Sequence, residues 1–99
     1  WPALAARVPG FEAARLVSAW AGHYDVNTLD RNVILGAHPD VDNLLFANGF
    51  SGHGLQHAPA VGRALSELVL HRQFRTLDLS RLGWARVLEK RPLLELNVV

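Results

Sequence analysis

The fold is decided by a short apolar run that ends in a glycine-rich turn: Leu44-Leu45-Phe46-Ala47-Asn48-Gly49-Phe50-Ser51-Gly52-His53-Gly54. An uninterrupted apolar run such as residues 44–47 is typical of a strand that is covered on both faces. Beyond the turn, apolar residues recur at helical spacing: Ala58, Val61, Leu65, Leu68 and Val69. The stretch therefore predicts a strand, a glycine loop and a helix.

Pro59 limits where that helix begins. Proline has no N–H to donate, so it is tolerated in the first turn, where backbone donors have no partner within the helix. Pro59 therefore predicts a first helical residue near Gln56. The last turn is predicted at His71 and Arg72, because positive charge suits the negative end of a helix. The glycine loop then leads directly into a helix N-terminus, which attracts anions or polarised oxygen atoms.

The glycine loop allows two interpretations. It can hold a planar ligand against the backbone, because a Cβ would keep such a ligand away, or it can serve tight packing only. It is not a dinucleotide-binding fingerprint, because no G-x-G-x-x-G opens a helix here. A Walker loop is also excluded, because the sequence has no Gly-Lys-Ser/Thr.

The residues before the glycine loop predict a helix and two strands. Residues 1–8 predict a short helix. Residues 15–24 mix β-branched, aromatic and small side chains, which predicts a strand with Trp20 in the core and a bulge at Gly22. Residues 33–36 predict a short buried strand.

The segment between those two strands is polar. Residues 25–32 are rich in Asn, Asp and Thr, whose side chains hydrogen-bond their own backbone in turns. Asp30 and Asn32 are therefore interpreted as turn formers before any role in substrate binding.

The last third of the sequence predicts a short helix and an edge strand. Asp78 or Ser80 would cap a helix over residues 84–88, and the apolar tail at residues 93–99 would pair at a sheet edge. Two aromatic residues of this region are expected to cover either the sheet or the remainder of a longer protein: Phe74 and Trp84. The whole pattern predicts an α/β fold (an α+β fragment) with a few-stranded sheet and one principal helix.

Composition limits the class of protein. The 99 residues are 49% apolar and 19% charged with a net charge of +1, which favours a packed, soluble protein and disfavours nucleic acid or an anionic membrane as a partner. The absence of cysteine excludes disulfides, thiolate metal sites and a cysteine nucleophile. Because methionine is also absent and the sequence opens on Trp1-Pro2 without a signal-peptide pattern, we interpret it as part of a longer chain.

Three motifs in a fixed order carry a resemblance to a known family. They are Trp-Ala-Gly-His-Tyr at 20–24, Ile-Leu-Gly-Ala-His-Pro at 34–39, and the loop with its helix at 43–63. Together they resemble the C-terminal part of the D-amino-acid oxidase superfamily, which includes sarcosine oxidase, glycine oxidase and dimethylglycine dehydrogenase. Residues 24–30 with Gly54-Leu55-Gln56 look most similar to a branch of mitochondrial FAD-dependent oxidoreductase-domain proteins associated with complex I assembly, and to its bacterial relatives.

The resemblance implies a cofactor and a reaction. The fold would be the C-terminal part of an FAD-binding two-domain oxidoreductase, residues 1–99, without the N-terminal dinucleotide-binding part. The parent protein would pass a hydride from an amine or amino-acid C–H to flavin N5, in the cytoplasm of a bacterium or the mitochondrion of a eukaryote. The implied flavin contacts are Gly52, His53, Gly54 and Leu55. A helix N-terminus at this place would stabilise the reduced flavin, and Ser51 would tie the turn.

The implied substrate residues, Tyr24 and Gln56, depart from better-known relatives. Sarcosine oxidases that resemble this sequence carry a lysine at the position of Gln56, and an amide brings no charge to a substrate carboxylate. Glycine oxidase-like members place an arginine near Tyr24. Some sarcosine oxidases attach FAD through a cysteine at the position of Gly22, so covalent attachment there is excluded. No catalytic residue is assigned.

Histidines are common metal ligands, but their spacing does not favour a metal site. His53 and His57 have an i, i+4 separation, and His53 precedes the predicted helix. His57 is interpreted as packed or solvent-facing and His38, before Pro39, as a turn residue.

Two other functions stay open. A non-catalytic assembly or interaction module could keep the flavoprotein fold, which the uncharged Tyr24 and Gln56 would suit. An independent small binding domain would unfold cooperatively by itself, whereas part of a larger sheet would expose apolar surface and self-associate. The isolated chain is expected neither to hold FAD tightly nor to turn over.

Overall fold

The computed structural model describes residues 2–97, which combine helices with a small antiparallel sheet. In chain order the elements are α1 (Pro2–Arg7), a 3-10 helix (Pro9–Ala13), β1 (Ile34–Ala37), β2 (Leu45–Asn48), α2 (Gly54–His71), a second 3-10 helix (Ser80–Leu82) and α3 (Ala85–Leu88). The predicted α/β class and the predicted N-terminal helix are confirmed for these residues. Trp1, Val98 and Val99, which belonged to predicted elements, lie outside them.

The sheet pairs β1 with β2 in antiparallel register, from Ile34 opposite Asn48 to Ala37 opposite Leu45. Both strands were expected, but the prediction that β2 is covered on both faces is wrong. Its first two residues are half-buried and its last two are exposed. The reason is that α2 and the second 3-10 helix pack on β1, which is buried along its first three residues.

The core lies between β1 and α2. Leu35 is 1% exposed and Val33 3%, and they contact Val61 and Ala64 of α2. Burying an aliphatic side chain of this size contributes about 1.5–3 kcal/mol. Five half-buried residues pack around this cluster: Phe50, Leu65, Phe74, Leu79 and Leu82. The Trp84 ring stacks on Phe46 of β2 with a centroid distance of 5.0 Å, so Trp84 covers the sheet, one of the two predicted roles. Phe74 packs against the core between β1 and α2.

Helix α2 begins at Gly54, two residues before the predicted start at Gln56. The N–H of His57 bonds the His53 carbonyl at 3.1 Å, so the first turn is already closed before Pro59, which lies inside the helix. The helix ends at His71, and Arg72 follows with φ 59°, its N–H bonded to the Leu68 carbonyl at 2.9 Å. Within residues 2–97, no helix is long and apolar enough to span a membrane.

The strand predicted over residues 15–24 is wrong. This segment forms neither helix nor strand and is exposed, and Trp20, expected in the core, is 87% exposed. A strand needs a hydrogen-bonded neighbouring strand, and the sheet formed by the described residues consists of β1 and β2 alone. The bulge predicted at Gly22 therefore has no ladder to interrupt.

The C-terminal helix is confirmed as α3, but its predicted cap is elsewhere. The Asp78 carboxylate accepts the N–H of Ser80, the first residue of the second 3-10 helix, at 3.0 Å, and α3 has Trp84 at its N-cap without a side-chain cap. Residues 93–97 do not form the predicted edge strand. Instead, the Leu93 and Glu95 N–H groups donate to the carboxylate and the carbonyl of Asp30, each at 3.0 Å.

Candidate functional site

The glycine loop reverses the chain between β2 and α2. The His53 N–H donates to the Phe50 carbonyl at 3.0 Å, and the two residues between them, Ser51 and Gly52, have φ 52° and 96°. Positive φ at both central positions is the mark of a type I′ turn, and it is uncommon for a serine. Gly49, just before the turn, has φ 75°. The backbone is thus folded tightly beneath the start of α2.

Ser51 is buried and tied on both sides. Its N–H donates to the Asp25 carbonyl at 3.2 Å, and its hydroxyl donates to the Gly49 carbonyl at 3.1 Å. The same hydroxyl accepts the Asn27 N–H at 3.0 Å. The Asp25 carboxylate accepts the Gly49 N–H. The hydroxyl therefore ties the turn, and it joins the loop to residues 25–27.

The predicted flavin-contact residues are consecutive in this turn and the first turn of α2: Gly52, His53, Gly54 and Leu55. Within the described residues, no side chain caps α2, and His57 carries the first N–H that is bonded in the helix. The N–H groups of Gly54, Leu55 and Gln56 have no partner in that same part of the chain. Leu55 is 88% exposed. The loop therefore presents three backbone donors and an apolar side chain at one helix end.

Gly54 lies against Phe50. A Cβ at Gly54 would be 3.4 Å from the Phe50 Cβ.

The His53 and His57 rings stack with a centroid distance of 5.6 Å. No group of three side chains that could hold a metal ion occurs between residues 2 and 97. His38 forms the predicted turn, its Nδ1 accepting the Asp40 N–H at 3.0 Å.

The two predicted substrate residues lie on neighbouring segments. Tyr24 is 57% exposed and directly precedes Asp25, which binds the loop. Gln56 lies on the first turn of α2, where it lines an apolar pocket of about 230 Å³ together with Leu35 and Val61. The structure thus brings Gln56 together with the loop, and it brings the backbone beside Tyr24 to the same loop.

A buried ion pair near the loop was missed by the sequence analysis. Arg86 donates through Nε to the Asp30 carboxylate at 2.8 Å, and the two side chains are 4% and 0% exposed. Asp30 does form a turn, accepting the Asn32 N–H at 3.1 Å, but it is also a buried anchor. The signal available was a single arginine between the apolar residues of α3.

Two opposing effects set the acidity of Asp30. Burial raises the pKa of this carboxyl group, and the hydrogen bond from Arg86, backbone N–H donors and the Arg86 charge lower it. The lowering effects together outweigh burial, so the pKa lies below its ordinary value. The pair is therefore charged at neutral pH.

Comparisons with known proteins identify a family that this chain resembles. The family model described as FAD dependent oxidoreductase (DAO) matches residues 1–68. FAD-dependent oxidoreductase domain-containing protein 1 of Xenopus laevis is 56% identical over 99 residues, which are 100% of this chain and 20% of that protein. Glycine oxidase of Bacillus licheniformis is 35% identical over 69 residues (70% and 18%), and peroxisomal sarcosine oxidase of Mus musculus is 52% identical over 42 residues (42% and 11%).

The comparisons also limit what the chain covers. The chain spans about a fifth of the length of the first of these relatives. No solved structure matches it.

Proposed function

Because the chain belongs to the FAD dependent oxidoreductase (DAO) family, we propose that it is the C-terminal part of an enzyme that oxidises amines or amino acids with FAD. Two relatives are named as oxidases of glycine and sarcosine, which supports a small amine or amino acid as substrate. The dinucleotide-binding part of a two-domain fold is proposed to lie outside residues 1–99. The parent would work in the cytoplasm of a bacterium or the mitochondrion of a eukaryote.

The observation that carries the proposal is the uncapped N-terminus of α2 behind the type I′ turn. The N–H groups of Gly54 and Leu55 point from the positive end of the helix dipole, and no side chain within residues 2–97 occupies them. Such donors fit the carbonyl and nitrogen edge of a flavin ring. Gly52 and His53 would contact the same ring through the turn.

Bound FAD would supply the hydride acceptor for oxidation of the substrate C–H. The part that these residues play is electrostatic. Negative charge that develops near the helix N-terminus is stabilised by backbone donors that are already in position, so that no reorganisation is needed when the charge appears.

Tyr24 and Gln56 are proposed to line the substrate cavity. A phenol and an amide both donate and accept hydrogen bonds, and neither carries a charge at neutral pH. They would therefore hold a substrate carboxylate less strongly than a lysine or an arginine would. This disfavours a substrate that is held mainly through its carboxylate.

The test is the visible spectrum of the full-length parent protein, followed without oxygen as N-methylated and free amino acids are added. We expect flavin bands that bleach with one class of amine. Gly52→Ala, at φ 96°, is expected to weaken FAD binding roughly tenfold. The control Gly62→Ala lies in α2, where a Cβ meets nothing within 4 Å, and it should bind FAD normally. A parent that binds no flavin would contradict the proposal.

A second candidate is a non-catalytic assembly module that keeps the flavoprotein fold. The uncharged Tyr24 and the placement of Gln56 against an apolar pocket favour it. It predicts flavin that is bound but that no amine reduces. In either case the isolated 99 residues should bind FAD weakly, because they carry no dinucleotide fingerprint. Amine oxidation by the isolated chain would contradict this expectation.

A further inference from the structure

The backbone at Asp25 and Asn27 clamps the glycine loop from outside. Asp25 accepts two loop N–H groups, from Gly49 to its carboxylate and from Ser51 to its carbonyl at 3.2 Å. Asn27 donates its N–H to the Ser51 hydroxyl at 3.0 Å. A Cβ at Gly49 would lie 3.0 Å from the Asn27 Cβ, so the two backbones are in close contact. Any movement of Asn27 therefore displaces the loop.

The Asn27 side chain packs against Gly49 through its Cβ, and its terminal amide bonds to Asp30 and Asn32. Its Nδ2 donates to the Asp30 carboxylate at 2.9 Å and to the Asn32 carbonyl at 2.7 Å. Its Oδ1 accepts the Leu29 N–H at 3.0 Å. The amide thus uses both its donors and its acceptor, which fixes its orientation.

Asp30 is itself held in place by distant parts of the chain. Arg86 binds its two oxygens, at 2.8 and 3.3 Å, and the Leu93 N–H adds a bond at 3.0 Å. Both side chains of the ion pair are buried. A continuous series of hydrogen bonds therefore runs from Arg86 through Asp30 and Asn27 to the loop.

We propose that Asn27 is a positioning residue that transmits the fixed location of the Asp30–Arg86 pair to the loop at Gly49 and Ser51. The N–H groups at the start of α2 follow this loop directly, so their direction depends on Asn27 although Asn27 does not contact them. A fully satisfied buried network confers such rigidity, and a partly satisfied one does not. The consequence for a flavin rests on the proposed function, whereas the order of the loop does not.

The test compares Asn27→Asp with Asn43→Asp in the full-length protein. Asn27→Asp replaces the donor to Asp30 with a second carboxylate, while Asn43→Asp adds the same charge in the exposed turn between the strands. We expect Asn27→Asp to accelerate amide hydrogen exchange at residues 49–53 at least about tenfold. Exchange around Val61 and Ala64 should stay within about twofold of the rate in the unsubstituted full-length protein. Asn43→Asp should leave both regions unchanged. The flavin reduction potential should shift in Asn27→Asp alone.

Other outcomes separate this inference from simpler explanations. Loop exchange that is unchanged, or that rises only together with the α2 core, would overturn it. Faster loop exchange with an unchanged flavin potential would support the role of Asn27 in ordering the loop, and it would contradict the flavin contact of the proposed function. If Asn27→Asp does not fold, Ser51→Ala removes the hydroxyl at the loop end of the same series, and faster loop exchange is again expected. A parent without flavin would contradict the proposed function, and loop exchange would still decide the role of Asn27.

Discussion

Arg86 shows how one buried side chain can organise a loop region. Its Nη2 donates to the Asn32 and Val33 carbonyls at 3.0 and 2.8 Å, and Nη1 donates to the Leu82 and Gly83 carbonyls. Nε completes the ion pair with Asp30. A planar guanidinium is suited to this, because its five N–H groups form a rigid fork. The charge is buried at little cost only while each of these partners is present.

Removing this arginine should therefore be far more damaging than removing an exposed one. Arg86→Ala leaves the Asp30 carboxylate buried without its cation, and we expect a loss of about 3–5 kcal/mol in the free energy of unfolding. The control Arg91→Ala breaks the pair with Glu89, whose side chains are 69% and 53% exposed. It should cost at most about 1 kcal/mol. Urea denaturation followed by circular dichroism measures both, and equal losses would show that burial of the pair is unimportant.

At the scale of the element, the C-terminal end of α2 is fixed by a side chain of its own. The Glu67 carboxylate accepts the N–H groups of Arg75 and Thr76 at 2.7 and 3.1 Å, and it also accepts the Thr76 hydroxyl. These bonds hold the turn that follows the helix. The Thr76 hydroxyl, followed by the two N–H groups, lowers the pKa of Glu67 from 4.5 to about 2.

This lowered pKa gives a pH dependence with a definite sign. The unfolded chain takes up a proton at Glu67 near pH 4.5 and the folded chain near pH 2, so the stabilisation is complete above the first value and is lost as the pH falls to the second. Glu67→Gln should be less stable than the parent at neutral pH, and this difference should shrink across that window. Glu12→Gln, in the exposed 3-10 helix, is the control. The midpoint of urea denaturation, measured for both proteins from about pH 7 down to about pH 2, gives this difference in stability. A difference that does not change with pH would contradict the role of Glu67.

The elements that the sequence predicts well are those stabilised by their own neighbours. Helix α2 has an apolar face at helical spacing, and β1 is a short apolar run, so both patterns are local. The segment at residues 15–24 has a strand-like composition, but a strand also requires a partner, which local composition does not supply. The start of α2 was placed late because Pro59 is accommodated deeper in the helix than the first turn.

The site was predictable to a similar extent. The turn and the helix N-terminus follow from the glycine spacing, while the roles of Gly52–Leu55, Tyr24 and Gln56 stay predictions. The sequence does not predict the hydrogen bonds from Asp25 and Asn27 to the glycine loop, because a polar segment such as residues 25–32 indicates only a turn. Asp30 and Arg86 are 56 positions apart, a separation over which sequence patterns carry no pairing information.

At the scale of the whole molecule, the chain is elongated. Its extents are 55 × 28 × 21 Å and its radius of gyration is 17.9 Å, where a compact domain of this length has about 13 Å. The exposed segment at residues 15–24 contributes three large apolar side chains at 86, 96 and 87% exposure: Leu16, Val17 and Trp20. Contiguous exposed apolar surface of this kind favours association.

We therefore expect the isolated chain to self-associate as its concentration rises, as measured by sedimentation velocity. Trp20→Ser should weaken the association constant roughly tenfold, because the indole is the largest apolar group in this segment. Leu70→Ser, which removes a side chain 73% exposed on α2, is the control and should have little effect. A chain that stays monomeric and unfolds cooperatively would instead favour an independent small binding domain.

The sequence separation of the Asp30–Arg86 ion pair bears on the order in which parts of the chain fold. Asp30 lies 56 positions before Arg86 and 63 before Leu93, and a ribosome makes the chain from its N-terminus. Closing so long a segment costs entropy before any contact repays it, whereas α2 can form from neighbouring residues alone. We therefore expect the Asp30–Arg86 pair to form after α2, and the turn before α2 to acquire its final shape after the helix does. Under the proposed function, we expect FAD binding at this turn to follow formation of the ion pair.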